Sequence, residues 1–333
     1  MDPATICCPN LAYPARGQSG QGPIGIHSRQ DRRFIGTPCR TTFSATTGTV
    51  FDRLRTAAAT VGLVVPVRAY GGPVHASVAA FGCDECTVAA WWARAGQQRP
   101  AVPEALVERP RALGQVHADE LRVTNQGGIV WRALAIRGTT RLWRGGEGSA
   151  PRDRPLSRRL IKRGRCCAAR RPRLRCTAGL VASRRARREP VWAPVHTGQR
   201  GRPRLRPWRH ILMAHVVKGY ERRRGGATER RRVAGPPARV EPRRGRAQGA
   251  GGSQTASIAR LHATFRERLA PLARWGRALA RHTLTLRPGR ALSGTVDHCC
   301  PPHASLAHVG RGTTPALAAG STDHGWSGGE WRS

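Results

Sequence analysis

An excess of positive charge is the feature that most constrains how this chain can fold. Its 333 residues include 58 Lys and Arg against 19 Asp and Glu, so the formal net charge is +39 at pH 7. A compact chain with this charge repels itself unless a polyanion neutralises it, and nucleic acid is the polyanion that such a surface attracts. GC-rich coding under weak selection also produces an excess of Arg, Ala, Gly and Pro. Functional basicity and mutational drift therefore both stay open.

The apolar content and the cysteines set further bounds. Hydrophobic residues make up 39% of the chain, below the roughly 45–50% of ordinary globular proteins, so we expect a thin core. The ten cysteines are scattered and include vicinal pairs, which does not fit a secreted disulfide framework. The N-terminus lacks the basic and apolar regions of a signal peptide. No stretch approaches the ~20 apolar residues that span a bilayer, so we expect a cytoplasmic protein with no membrane partner.

The first third of the chain divides into three segments. Residues 1–50 are rich in Gly and Pro and fit either a small loop-rich module or disorder; because they lack periodic apolar positions that offset the cost of ordering, we expect disorder. Residues 56–98 have a helical pattern with breaks at Gly71-Gly72-Pro73 and at Gly82. Residues 99–115 contain three prolines and are interpreted as a linker.

The following segment, 116–290, is predicted to form the main domain. Strand-like alternation covers 116–123 and 129–137, and 172–177 is predicted to be a short buried strand. An insertion, 198–252, consists mostly of Arg, Gly and Pro, and we expect it to be disordered.

Helical periodicity returns near the end of the chain. Apolar residues recur at helical spacing over 254–282. Residues 291–333 are predicted to be a C-terminal tail, which is extended and turn-rich over 296–306 and 313–320. With the strands of the main domain, this gives a mixed α/β (α+β) fold class.

The sequence around Gly82 predicts two helices joined by a tight turn. Asp84 can cap the second helix, and the pair can pack through Val78, Phe81 and Val88. The preceding helix is predicted to be weak, because Gly62 and Pro66 interrupt its apolar run. An ordinary helical hairpin and a DNA-binding helix-turn-helix both fit this pattern.

Three segments carry a resemblance to a known family: Val116–Val123, which contains Asp119-Glu120, Leu174–Gly179, and Ser257–Arg266. They resemble the catalytic segments of insertion-sequence transposases of the Asp-Asp-Glu (DDE) type. The resemblance implies a ribonuclease-H-like catalytic domain in which Asp119 is the first acid. It puts the second Asp at Ala178, the Glu at Ala259 and a helix Asn at His262.

The resemblance extends over nearly the whole chain in a fixed order. Further matching segments are Thr87–Trp92, Gln115–Val123, Gly201–Trp208, Phe265–Leu272, Pro302–Leu306 and Thr314–Ala316. The departures fall on ligands, catalytic acids and helix interiors alike. That distribution indicates a degenerate copy of the family.

Only one of the three catalytic positions carries an acid, Asp119, which predicts an inactive site. In two-metal nucleases, carboxylates hold a pair of Mg²⁺ ions that activate the attacking oxygen and stabilise the leaving one. Glu120 cannot assist Asp119, because adjacent strand residues point to opposite faces. Glu267 lies ~12 Å along the helix from Ala259, and Asp153 and Glu189 lie far from the expected strand end. Mg²⁺ is the cofactor that the resemblance implies, and we expect no productive binding here; whether any activity survives stays open.

The N-terminal module resembles the zinc ribbon of these transposases. The resemblance places ligands at Cys8 and Cys39, but Tyr13 and Gly36 occupy the other two ligand positions. Structural zinc needs four Cys or His ligands, so we expect no zinc unless two makeshift donors complete the set, namely Cys7 and His27.

The helix pair implies a mode of DNA binding. By resemblance, it is the helix-turn-helix that grips the element ends, with its second helix in the major groove of duplex DNA. Thr87 and Arg94 are the expected DNA contacts. Trp91 and Trp92 are assigned to the same surface, in packing or backbone contacts.

Three classes of protein therefore stay open. The first is a transposase-family protein for DNA transposition and recombination that binds DNA without catalysis. The second is a non-enzymatic, Arg-rich nucleic-acid-binding protein, and the third is an unselected reading frame without function. Oligomeric state is not determined by the sequence, and a homo-oligomer stays open.

Overall fold

The computed structural model combines helices and strands in a mixed α/β fold. It describes residues 2–6, 8–10, 24–98, 111–112, 114–125, 128–150, 155–156, 159–160, 162–163, 168–170, 174–178, 192–195, 204–207, 212–221, 224–240, 256–273 and 286–327.

A small antiparallel sheet forms the N-terminal module. Its strands, in spatial order, are β1 (Ile24–Ser28), β2 (Arg33–Gly36) and β3 (Thr42–Ser44). Phe34 and Phe43 stack with their ring centroids 6.2 Å apart, and Cys8 is buried with them. The prediction of disorder over residues 1–50 is wrong for their described part, because two aromatic rings and Cys8 form a small core between the strands.

Three helices follow: α1 (Ala58–Ala69), α2 (Val74–Phe81) and α3 (Glu85–Gln98). Gly82 ends α2 with φ 62° and ψ 26°, a left-handed conformation that glycine adopts without strain. The Asp84 carboxylate accepts a hydrogen bond of 3.1 Å from the backbone N–H of Thr87. The predicted helix pair and its cap are therefore confirmed.

The prediction that Gly62 and Pro66 interrupt the first helix is wrong. Both residues lie within α1, and Pro66 removes the hydrogen bond that would reach the carbonyl of Gly62 one turn earlier. Three valines on the same helix are buried against α3 and a C-terminal helix: Val61, Val64 and Val65. Burying one valine contributes about 1.5–3 kcal/mol, so together they outweigh a proline penalty of about 3 kcal/mol.

A six-stranded sheet forms the centre of the protein. In chain order, the strands after β3 are β4 (Arg111–Ala112), β5 (Gln115–Asn125), β6 (Gly128–Arg137), β7 (Trp143–Ser149), β8 (Ala168–Arg170), β9 (Leu174–Ala178), β10 (Trp192–Val195), β11 (Arg204–Pro207), β12 (Met213–Glu221) and β13 (Arg224–Ala234). The large sheet has the order β13-β12-β9-β5-β6-β7, while β4 pairs with β8 and β10 with β11.

The sheet is mixed. Strand β6 runs antiparallel to both β5 and β7, β9 runs parallel to both β5 and β12, and β12 runs antiparallel to β13. The strands predicted over 116–123 and 129–137 are therefore confirmed, as is the strand predicted over 172–177 for its described residues, 174–177. Most of the predicted linker 99–115 lies outside the described residues.

The prediction of disorder over 198–252 is wrong for its described part. Strands β12 and β13 pair along their length, and β12 joins the central sheet through β9. Backbone pairing with a distant strand stabilises this segment, and composition does not report such pairing. Strand β13 lies at the sheet edge, where charged side chains are tolerated and discourage further strand addition.

Helix α4 (Ala256–Arg268) covers one face of the central sheet. Its apolar residues Ile258, Leu261 and Phe265 share a core with Leu121 and Val123 of β5. The helix ends at Arg268, before the predicted end at 282, because Leu269 has an extended backbone with φ −120° and ψ 96°. A short 3-10 turn, Ala270–Leu272, follows, and residues 274–282 lie outside the described residues. On the opposite face of the sheet, alanines of β6 pack with Leu156 and Leu160.

The prediction of an extended C-terminal tail is wrong for residues 296–299 and 315–318. The first belong to helix α5 (Leu286–Cys299), which crosses the boundary predicted at 290, and the second form helix α6 (Pro315–Ala318). Leu292 and Val296 of α5 are buried with α1 and α3. No helix in the described part of the chain combines the length and apolar character that crossing a bilayer requires.

Candidate functional site

The sheet brings two of the three predicted catalytic positions side by side. In the parallel pair β5–β9, Ala118 lies opposite Thr177, and Asp119 and Ala178 are the next residues of the two strands. Ala178 also pairs with Val216 of β12, so it lies between two parallel neighbours. The position assigned to the second acid is thus adjacent to Asp119.

Helix α4 brings the third position to the same place. Asp119 lies on the side of β5 that packs against this helix, and its Oδ2 atom is 3.5 Å from Nδ1 of His262. Ala259 lies one turn before His262, and residues three apart share a helix face. The three positions that the resemblance assigned to the catalytic acids therefore lie close together in the fold.

The contact between Asp119 and His262 joins a carboxylate to a neutral imidazole. Burial of His262 and, to a smaller extent, the positive charge of Arg266 lower its pKa from 6.5 to about 3. The His262 side chain is 4% exposed, whereas that of Asp119 is 22% exposed. The other carboxylate oxygen of Asp119 accepts a hydrogen bond of 2.8 Å from the backbone N–H of Glu120. Asp119 thus lies at the solvent edge of a covered site.

These residues do not fit a pair of Mg²⁺ ions. Magnesium requires carboxylate or other oxygen ligands in near-octahedral geometry, and alanine at positions 178 and 259 supplies none. Glu120 lies on the other face of β5, as expected from the strand pattern, and Glu267 is exposed. Asp153 and Glu189 lie outside the described residues. Within the described ranges, no three Cys, His, Asp or Glu side chains are close enough together to hold a metal ion.

The predicted ribbon ligands also come together. The Sγ atoms of Cys8 and Cys39 are 3.7 Å apart. A Cβ atom added to Gly36 would lie 2.7 Å from Sγ of Cys39 and 3.3 Å from Sγ of Cys8, so the ligand position that the resemblance assigns to residue 36 borders both sulfurs. Hydrogen bonding to Thr41 lowers the pKa of Cys39 to about 7.

This sulfur pair does not fit a structural zinc ion. Two thiols supply half of a tetrahedral set, and Gly36 adds no donor. The makeshift donor His27 is exposed on β1, while Cys7 and Tyr13 lie outside the described residues. The module is held instead by its small aromatic core.

The residues expected to contact DNA on α3 serve mainly in packing. Trp91 is 5% exposed and belongs to the core shared by α1, α3 and α5. Trp92 is partly buried, with the Arg68 guanidinium carbon 5.6 Å from its ring centroid. Arg94 donates a hydrogen bond to the backbone carbonyl of Asp52. The structure thus differs from the expectation that Arg94 points to DNA, and only Thr87, half-buried near the start of α3, stays at the predicted surface.

The outward face of α3 carries no positive charge. Arg94 is its only basic residue, and the exposed positions are Glu85, Cys86, Ala89, Ala90 and Gln97. A helix that reads base edges normally presents donors and acceptors to the groove. This face is therefore poorly suited to sequence-specific recognition.

The sequence analysis missed a buried charged cluster around Asp297 on α5. Arg260 and Arg268 of α4 each place a guanidinium nitrogen 3.7 Å from its Oδ1 atom, and Nε2 of His303 lies 3.5 Å from Oδ2. Burial opposes ionisation of Asp297, but the His303 hydrogen bond and neighbouring positive charges bring its pKa down to about 2. The cluster fastens α5 to α4. The signal available in the sequence is that Asp297 is the one acidic residue of this helix.

Neither protein-family models nor curated proteins match this chain. Its functional interpretation rests on the fold and on the geometry of the Asp119 site.

Proposed function

We propose that this chain is a degenerate member of the DDE-type insertion-sequence transposases that binds duplex DNA and does not cut it. The observation that carries this proposal is the convergence at Asp119. Its strand, the adjacent end of β9 at Ala178, and the helix bearing Ala259 and His262 meet at one place. These are the three positions that the sequence resemblance assigned independently of any fold.

The sheet supports a ribonuclease-H-like core. Asp119 lies on a central strand, three antiparallel strands follow one another in the chain, and parallel strands extend the sheet on the other side of β5. A helix that follows the strands in the chain covers the Asp119 face. Chance placement of three sequence-matched segments at one site would be an improbable outcome for an unrelated fold.

The absence of two carboxylates supports loss of catalysis. A two-metal site acts by holding both ions around the scissile phosphate, and this geometry fails when one carboxylate remains. His262 adds to the loss, because its neutral ring lies against the surviving carboxylate. These residues therefore cannot carry out the DNA-cutting reaction of the family.

The charge supports binding to DNA without sequence preference. The formal net charge is +39, while the outward face of α3 is uncharged apart from Glu85. Phosphate contacts supply affinity without reading bases. We place the protein in the cytoplasm, where DNA is accessible in a bacterial cell.

Binding of short duplexes across a salt series tests this function. The logarithm of the affinity is expected to fall linearly with the logarithm of salt concentration, with a slope of about −0.9 for each phosphate neutralised. Scrambling the duplex sequence should change the affinity little. An affinity that does not respond to salt, or a strong preference for one sequence at physiological salt, contradicts the proposal.

The flanking DNA separates this proposal from an unrelated Arg-rich binding protein. Both bind duplex DNA in a salt-dependent way. Inverted terminal repeats on both sides of the gene are expected of a mobile element, whereas an uninterrupted operon without repeats favours the unrelated protein.

A further inference from the structure

We propose that the DNA backbone is bound in a groove between the N-terminal sheet and the start of α1, and not on the outward face of α3. This inference rests on the proposed DNA-binding function and assigns it to a surface. The groove has a volume of about 550 Å³. It runs beside β2 and β3 and is bordered by the turn that leads into α1.

The lining of the groove is rich in hydrogen-bond donors. Five hydroxyl side chains contribute to it: Thr42, Ser44, Thr46, Thr47 and Thr56. Two guanidinium groups, those of Arg33 and Arg53, lie among them, and Asp52 supplies the one carboxylate of the lining. Hydroxyl, guanidinium and backbone N–H groups are the usual partners of DNA phosphates.

Several of these groups are already held in position. The Arg33 guanidinium donates hydrogen bonds of 2.9 and 2.8 Å to the carbonyl and hydroxyl oxygens of Thr42. Ser44 Oγ lies 3.1 Å from the hydroxyl of Thr46 and 2.9 Å from that of Thr47. A hydroxyl donates and accepts at once, so this cluster can turn a proton towards a phosphate oxygen while staying ordered.

Arg53 is presented at the groove by a fixed turn. Its φ of 54° lies in the left-handed region, which disfavours a residue with a side chain by roughly 1–2 kcal/mol. Hydrogen bonds from Asp52 N–H to Thr49 and from Leu54 N–H to Phe51 close the turn. The turn is further anchored by Arg94, which donates to the carbonyl of Asp52. The residue expected to contact DNA thus serves instead to position the turn that carries Arg53.

The charge around the groove favours a polyanion. Residues 24–58 contain six arginines, at 29, 32, 33, 40, 53 and 55, against two aspartates. One of these, Asp31, accepts a hydrogen bond from the Ser28 hydroxyl. The hydroxyl and guanidinium donors of the lining are of the kind that binds phosphates without reading bases, so the groove fits the sugar-phosphate backbone.

Hydrogen exchange of the full chain tests the location directly. With a short duplex of arbitrary sequence at low salt, amides of residues 42–56 are expected to exchange more slowly than in the free protein. Those of residues 85–93 on α3 are expected to be unchanged. Protection of 85–93 without protection of 42–56 overturns the proposal.

A charge variant with a matched control provides the second test. Arg53→Gly removes the guanidinium and keeps a backbone that favours positive φ, so the fold is retained. It should weaken DNA binding several-fold and reduce the salt slope by about one. Arg311→Ala removes an exposed arginine near the other end of the chain. It should change the DNA affinity and the salt slope less than Arg53→Gly does.

The outcomes separate this proposal from the proposed function. Equal effects of Arg53→Gly and Arg311→Ala overturn the groove while DNA binding stands. A chain that binds no duplex at any salt concentration overturns both.

Discussion

The imidazole of His262 lies against the carboxylate of Asp119, with 3.5 Å between Nδ1 and Oδ2. The resemblance puts Asn at this position of the helix, a side chain that is smaller and cannot titrate. Because His262 is buried and neutral, it contributes no charge that would compensate for the absence of carboxylates at positions 178 and 259. Its ring also occupies space beside the only remaining carboxylate. Recovery of a metal site therefore depends on position 262 as well as on the two alanines.

The triple variant Ala178→Asp, Ala259→Glu, His262→Asn should gain a divalent-cation site. The three carboxylates would then surround one point, as two-metal chemistry requires. Calorimetric titration with Mn²⁺ should detect binding that is absent from the unaltered chain and from each single variant. Adding Asp119→Ala to the triple variant should remove it. A triple variant that keeps the circular dichroism of the unaltered chain but binds no additional Mn²⁺ would show that the three positions do not converge.

His117→Leu should stabilise the protein and reduce its sensitivity to acid. His117 is fully buried on β5, neither ring nitrogen has a hydrogen-bond partner in the described structure, and burial together with Arg141 lowers its pKa to about 4. Leucine removes this unsatisfied group, which should raise the free energy of unfolding at pH 7 by about 1–3 kcal/mol.

The pH dependence of this effect follows from the lowered pKa. The unfolded chain protonates His117 near pH 6.5 and the folded chain near pH 4, so stability is lost as pH falls between these values. Each such group contributes about 1.4 kcal/mol per pH unit. Urea unfolding at pH 7, 6 and 5 should give a shallower decline for His117→Leu. Parallel declines for the variant and the unaltered chain would show that protonation of His117 does not cause the loss of stability in acid.

The helix pair and the strands β5, β6 and β9 were predictable because their signals are local. Gly82 and Asp84 mark a turn and a cap, and alternation along 116–137 fixes the two faces of a hairpin. The approach of Ala178 to Asp119 could be expected only through the resemblance. By contrast, the hydrogen bond from Arg94 to Asp52 joins residues 42 positions apart, and no local pattern indicates it.

Helix α5 shows why the C-terminal prediction failed. Pro288 lies in its first turn, where the missing N–H does little harm. Gly289 and Gly294 look like helix breakers in the sequence, yet an added Cβ would lie 3.4 Å from Trp92 at the first and 3.1 Å from Trp143 at the second. These glycines permit close packing between helix and neighbouring rings. A single sequence does not distinguish that role from a loop.

Arg40→Gly should stabilise the N-terminal module. All four residues other than glycine with positive φ among the described residues are arginines, namely Arg32, Arg40, Arg53 and Arg141. Glycine relieves a strain of roughly 1–2 kcal/mol at such a position, although it also increases the entropy of the unfolded chain. Thermal unfolding should show a net gain for Arg40→Gly and none for Arg29→Gly, whose φ is not positive. A loss of stability at Arg40 equal to that at Arg29 would contradict the argument.

Zinc should leave the unaltered module unchanged. Cys8 and Cys39 supply two thiols, and a structural site needs four ligands. Neither zinc nor a chelator should alter thermal unfolding, whereas the double variant Tyr13→Cys, Gly36→Cys should bind zinc and be stabilised by it. Stabilisation of the unaltered chain by equimolar zinc would mean that other side chains complete the site.

Incubation of the purified chain with supercoiled DNA and with linear DNA carrying its element ends, in Mg²⁺ or Mn²⁺, tests the central claim most directly. With Asp119 as the one remaining acid of the site, neither nicking nor joining should occur above the level of an Asp119→Ala variant. Metal-dependent nicking by the unaltered chain that is abolished by Asp119→Ala would contradict the account, since it would require another residue to complete the site.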